Sequence, residues 1–142
     1  MLTGTCLCGA CQVTIEHQPA AQLACHCTDC QKVSGGAFTA NLLVPPEEVQ
    51  IRGEVKEYTT NALSGGSITR FFCPLCGSLL GAKSTSMPKM DFQTGLFPEC
   101  TSLPFYLEIF VKDRFDKLVD IPGARIAQIT PSVDAQTMST RD

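Results

Sequence analysis

The sequence predicts a mainly β domain of short antiparallel strands organised around bound metal, and three observations carry that prediction. Apolar residues recur with a period of two in short runs, the pattern of half-buried strands. Glycine and proline interrupt those runs so often that no long helical pattern develops. Nine cysteines fall largely into three tight groups, around Cys6 to Cys11, Cys25 to Cys30 and Cys73 to Cys76. An odd number of cysteines cannot close into a complete disulfide set. The first residues, Met1-Leu2-Thr3-Gly4, show neither the basic nor the apolar region of an export signal, so a cytoplasmic setting with reduced, metal-binding cysteines is expected.

In chain order, Gly4-Thr5-Cys6-Leu7-Cys8-Gly9-Ala10-Cys11 offers ligands at once, with Gly9 suited to the tight bend of a metal knuckle. Residues 11–16 alternate as a strand whose inner face is Cys11, Val13 and Ile15. After the connection Pro19-Ala20-Ala21, Leu23-Ala24 leads into the central cysteines. Residues 28–33 are expected to form one helical turn, stopped at Ser34-Gly35-Gly36. Residues 38–44 read as an apolar strand closed by Pro45-Pro46. Short strands follow at 49–52, 55–60 and 68–72, the last delivering Cys73-Pro74-Leu75-Cys76-Gly77. Further strands fit 79–83, 90–96 and 105–111, while 112–119 is expected as a short helix or an irregular loop.

With 142 residues, 44% of them hydrophobic, the chain can build one real core and not two, so residues 1–130 are expected to form a single domain. Residues 131–142 are polar and aperiodic, the composition of a flexible tail. The formal charge is -3 and no basic run occurs, which argues against nucleic acid as a partner. No apolar run reaches the length of a membrane span. A small-molecule substrate is the expected partner.

The cysteines suggest two zinc sites. Cys73-x-x-Cys76-Gly77 brings two sulfurs to one metal and needs two more ligands. The N-terminal segment offers either Cys6 with Cys8 or Cys8 with Cys11; spacing favours the second pair, and strand alternation, which buries Cys11, favours the first. The central Cys25-x-Cys27-x-x-Cys30 turns three sulfurs toward one point. It is either a closed structural site with a distant fourth ligand such as Cys100 or His17, or an open site with an exchangeable position. Three thiolates make zinc a weak Lewis acid, so capture of an incoming thiol suits an open site better than hydrolysis. His26, between two ligands, is expected to point away from the metal, and Asp29 to accept backbone hydrogen bonds; either is also a candidate proton carrier.

These residues together resemble the glutathione-dependent formaldehyde-activating enzyme family, also represented by the domain of centromere protein V. The resemblance rests on Gly4-Thr5-Cys6-Leu7-Cys8-Gly9, Cys25-His26-Cys27-Thr28-Asp29-Cys30, Ser34-Gly35-Gly36-Ala37-Phe38 and Phe72-Cys73-Pro74-Leu75-Cys76-Gly77-Ser78. It implies an Mss4-like fold, a structural zinc on Cys6, Cys8, Cys73 and Cys76, and a second zinc on Cys25, Cys27 and Cys30. It also implies a carbon–sulfur lyase activity, the joining of glutathione and formaldehyde to S-(hydroxymethyl)glutathione. The chain departs from the family's usual residues at Gln31, often arginine, at Glu108, often histidine, and near Lys117-Leu118, where tryptophan is usual. Lys32, Arg70 and Lys83 are the candidate cations for glutathione carboxylates. The alternative to an enzyme is a non-catalytic zinc module that binds a protein partner.

Overall fold

Among the described residues, 1–129, the computed structural model holds eleven strands and one α-helix. In order these are β1 (Leu2–Thr5), β2 (Gln12–Ile15), β3 (Gln22–Cys25), α1 (Thr28–Ser34), β4 (Thr39–Val44), β5 (Val49–Arg52), β6 (Lys56–Asn61), β7 (Ser67–Phe72), β8 (Leu79–Ser84), β9 (Met90–Gln93), β10 (Phe105–Ile109) and β11 (Arg125–Ile126). The mainly β expectation holds. The expected tail, 131–142, lies outside the described residues. No helix among those described is long and apolar enough to cross a membrane.

Two sheets are formed. The smaller has the order β1-β2-β5 and the larger β11-β10-β3-β4-β9-β8-β7-β6. Pairing is antiparallel except where β10 runs parallel to β3 and to β11. Strand alternation sorts the side chains by face. Val13 and Ile15 of β2 meet Leu42 and Val44 of β4, Leu80 of β8 and Phe92 of β9 in the larger core, and Cys11 joins them. The residues between them on β4 and β9, namely Asn41, Leu43, Asp91 and Gln93, therefore face the other way. A smaller cluster gathers Leu23, Leu107 and Phe110 around Cys25 and Cys27.

Several boundaries differ from the sequence expectation. The strand expected over 90–96 stops at Gln93, where a 3-10 turn, Thr94–Leu96, closes with Phe97 N–H donating to Thr94 O at 2.9 Å. The strand expected over 105–111 stops at Ile109. Residues 112–119 are largely irregular, following a 3-10 turn at Val111–Asp113. Strand β1 has no apolar alternation to announce it, because a glycine occupies one of its two inward positions. A Cβ at Gly4 would stand 2.7 Å from Leu96 O and from the Phe97 ring, so close packing excludes any side chain there.

Candidate functional site

Two turns of similar build meet at the first cysteine cluster. In one, Gly9 N–H donates to Cys6 O; in the other, Gly77 N–H donates to Cys73 O, both at 3.0 Å. Gly9 (φ 77°) and Gly77 (φ 73°) adopt the left-handed conformation that lets each turn fold back over its sulfurs. The sulfurs of Cys6, Cys8, Cys73 and Cys76 lie within 4.8 Å of one another. Cys6 Sγ is 3.6 Å from Cys8 Sγ, which is 3.7 Å from Cys73 Sγ. Four sulfurs held at about 2.3 Å from zinc would be separated by about 3.8 Å, so this donor set fits a closed tetrahedral site.

Cys11 stands outside that set. Its backbone N–H donates to Cys6 Sγ at 3.2 Å, and its own thiol donates to Glu54 O at 3.1 Å inside the core. Burial pushes that thiol up to about 12, the opposite of what a ligand needs. The hydrogen bond from Cys11 N–H is the main reason the Cys6 thiol is lowered. Of the two N-terminal pairings that spacing allowed, the fold assembles Cys6 with Cys8.

The second cluster, Cys25, Cys27 and Cys30, also has its sulfurs within 4.8 Å of one another. Strand β3 ends at Cys25, and Cys27 caps α1 by accepting the Cys30 N–H at 3.3 Å. Helix α1 is short, ends at Gly35 and brings Cys30 back over the strand end. Hydrogen bonds from the Cys25 and Cys30 thiols, with backbone N–H groups of Cys30 and Asp29, lower the Cys27 thiol to about 3. Cys25 is driven the other way, mainly by its coupling to Cys27. Three clustered thiols of which one ionises readily are a soft donor set that suits zinc. Neither distant fourth-ligand candidate joins them: Cys100 is buried in the larger core, and His17 Nδ1 faces Glu48 Oε2 at 3.4 Å.

Over this cluster opens a cavity of about 120 Å³. Its floor is three registered rows of the large sheet. Arg70, Ala82, Asp91 and Leu43 form one row across β7, β8, β9 and β4. Gln93, Asn41 and Leu23 form the next, and Thr39, Cys25 and Ile109 the third. Phe110 closes one side with its backbone in the left-handed region, φ 55°, a strained position for a bulky residue.

The polar groups of the floor are tied together. Gln93 Nε2 donates to Asn41 Oδ1 at 2.7 Å, and Asn41 Nδ2 donates to Thr39 Oγ1 at 2.9 Å. Arg70 is buried, donating through Nη2 to Asp29 Oδ2 at 3.4 Å and through Nη1 to Thr60 Oγ1 at 3.3 Å. Burial pushes the Asp91 carboxyl up to about 7, against the opposing pull of Arg70.

The sequence-derived site residues divide sharply in space. Cys25, Cys27, Cys30, Asp29 and Arg70 line the cavity. Lys32 and Lys83 are exposed and do not line it. His26 is turned to the opposite side of β3, because alternation that aims Cys25 and Cys27 at the cavity aims His26 away. Its Nε2 lies 2.8 Å from Glu108 Oε2, with both residues buried. Gln31 anchors the same corner, donating to His26 O at 2.7 Å and to Asp113 O at 2.8 Å.

Asp91, Lys89 and the Gln93-Asn41-Thr39 row are cavity residues that motif reading did not single out. The alternation of Met90 and Phe92 with Asp91 and Gln93 carried a signal for one-sided burial. Only strand order shows that the polar face meets a cavity rather than open solvent.

A family model described as "Glutathione-dependent formaldehyde-activating enzyme" matches residues 1–113. A crystal structure of a Rhodobacter sphaeroides protein shares the fold, with a TM-score of 0.58 and 19% identity, over 71% of this chain and 92% of that one. No curated protein matches the sequence.

Proposed function

The chain belongs to the glutathione-dependent formaldehyde-activating enzyme family, and from that membership we propose that it is a zinc-dependent carbon–sulfur lyase that joins a thiol to a small aldehyde and releases it again. Glutathione is the proposed thiol and formaldehyde the proposed aldehyde. The observation that carries this reading is the cavity directly over Cys25, Cys27 and Cys30. A cluster serving only structure has no need of such a space, and a module that only binds a protein partner does not account for it.

Cys25, Cys27 and Cys30 would hold the second metal, and Cys6, Cys8, Cys73 and Cys76 the first. A zinc held by three cysteines supplies an open position and lowers the pKa of an incoming thiol. The remaining work falls to the chain itself. Leu23, Leu43, Ile68, Ile109 and Phe110 give the cavity an apolar lining, and charge interactions beside such a lining are stronger than in open water. Arg70, pinned by Asp29 and Thr60, presents a fixed cation, and Lys89 adds a second at the wall. These two are the groups in place to meet a carboxylate of glutathione. The Gln93-Asn41-Thr39 row offers amide and hydroxyl groups that orient a polar ligand without adding charge. In the reaction a sulfur–carbon bond forms, the carbonyl becomes a hydroxyl, and the proton lost from sulfur finishes on oxygen.

The test is formation of S-(hydroxymethyl)glutathione from glutathione and formaldehyde, followed by NMR with zinc-loaded wild type, Cys30→Ser and Cys73→Ser. The wild type should accelerate the reaction over its spontaneous rate. Cys30→Ser should lose the acceleration and keep its fold, whereas Cys73→Ser should lose both. No acceleration by the wild type, or unfolding of Cys30→Ser as severe as that of Cys73→Ser, rejects the reading.

A further inference from the structure

We propose that Asp91 is the group that carries the proton between the thiol sulfur and the aldehyde oxygen in the cavity over Cys25, Cys27 and Cys30. The proposal rests on the lyase reading above. Adding RS–H to a carbonyl forms one sulfur–carbon bond and opens the carbonyl π bond. One proton leaves sulfur and one arrives on oxygen, so the sum is balanced with no oxidant or reductant. A side chain in the cavity can hold that proton between the two atoms.

Position selects Asp91 from the acids and bases nearby. His26 is on the wrong side of β3, with its Nε2 committed to Glu108 at 2.8 Å. Asp29 lines the cavity, but its Oδ2 is already engaged by Arg70 at 3.4 Å. Asp91 lies on the sheet floor, on the same face as Cys25 and Thr39. Each neighbouring element contributes to its surroundings. β8 brings Ala82, whose backbone hydrogen-bonds the carboxyl, and Ser84; β4 brings Leu43; β7 brings Arg70; α1 brings Asp29 behind Arg70. Lys89 precedes it in the cavity lining, and a charged Cys27 thiolate opposes its ionisation.

Burial and the Cys27 thiolate disfavour the ionised form, Arg70 and the Ala82 hydrogen bond favour it, and the carboxyl sits at about 7. An acid poised there holds a proton half the time at neutral pH, the condition under which it both accepts from a thiol and donates to an alkoxide.

The experiment compares zinc-loaded wild type, Asp91→Asn and Asp91→Glu as full chains, measuring kcat and KM for the glutathione–formaldehyde adduct across neutral pH. In parallel, carboxyl-labelled aspartate is titrated by NMR. Asp91→Asn should lower kcat about 100-fold or more while KM stays within about 3-fold, and should lose the inflection near neutrality. Asp91→Glu should keep part of kcat with a displaced inflection. The wild-type spectrum should show one carboxyl titrating near 7 that Asp91→Asn lacks. If the wild type forms adduct and Asp91→Asn matches it at every pH, Asp91 is excluded while the lyase reading stands. If the wild type forms none, both fall together. Should Asp91→Asn fail to fold, Asp91→Glu decides: a wild-type profile overturns the role, and a displaced one supports it.

Discussion

His26 Nε2 and Glu108 Oε2 lie 2.8 Å apart, with both residues withdrawn from solvent on the side of β3 that faces away from the cavity. Glu108 also accepts the Ile121 N–H at 2.7 Å through Oε1 and faces Arg114 Nη1 at 3.4 Å. The pair therefore ties the loop that carries the second cysteine cluster to β10 and to the segment beyond it. The His26 ring packs 5.3 Å from that of Phe38, tilted by 49°. A buried acid with three partners steadies the backbone beside Cys25 and Cys27 from the side of β3 away from the cavity.

Breaking this pair should be costly from either side. Glu108→Ala and His26→Ala should each lose about 3–5 kcal/mol of stability in denaturant titrations, because each strands a buried polar partner. The double variant should cost less than the sum of the two. Strict additivity would mean that the two side chains are not energetically coupled.

Cys6 and Cys11 should separate cleanly. Cys6→Ser should lower the metal count from about two to about one per chain and cost a large part of the roughly 10 kcal/mol that a structural zinc contributes. Cys11→Ser should keep both metals and cost about 1–3 kcal/mol, as expected for a polar replacement at a buried position. Elemental analysis with thermal unfolding checks both, and greater metal loss from the Cys11 change would contradict the cluster described above.

Asp91 should make stability pH-dependent. Its folded carboxyl, at about 7, lies above the ordinary unfolded value of about 3.9, so between those values the folded chain holds a proton the unfolded chain has released. Stability from this group therefore falls as pH rises through that window, and the penalty is complete above it. Asp91→Asn removes the penalty. It should be more stable than wild type by about 1–3 kcal/mol at about pH 8.5, with the gap narrowing as pH falls below about 7 and closing toward about pH 4. A constant gap would show that Asp91 does not titrate in this window.

Phe110 should invert the usual order of substitution. Its ring is buried against the cavity while its backbone has φ 55°. Phe110→Ala removes the ring and keeps the backbone strain, costing about 3–5 kcal/mol. Phe110→Gly removes both, and should be less destabilising than the alanine variant by about 1 kcal/mol, measured by denaturant unfolding.

Much of the protein was legible before its tertiary structure. Metal knuckles are local devices, so Cys73, Cys76 and the glycine after them announced a site from spacing alone, as did the three central cysteines. Strands with an apolar alternation, such as β2 and β5, were equally plain. β1 and β3 were not, since a glycine stands where β1 would show an apolar residue and β3 is buried along its whole length. The roles of Gln31 and Glu108 were not legible either, since each depends on a partner dozens of residues away, Asp113 for Gln31 and His26 for Glu108.

The sequence by itself determined the mainly β class, the membership of the three cysteine groups and the alternation that sends His26 away from Cys25 and Cys27. Tertiary structure alone decided that Arg70 reaches the cavity while Lys32 and Lys83 do not, and it assembled the Cys6 and Cys8 pair that spacing had left open and the family resemblance had implied. It also decided that Asp91 shares a floor with Cys25. The physical reason is the range of each interaction. Turn geometry and strand period act within a few residues, whereas the order β3-β4-β9-β8-β7 brings together segments dozens of residues apart, and side chains that share its face meet only when that order is complete.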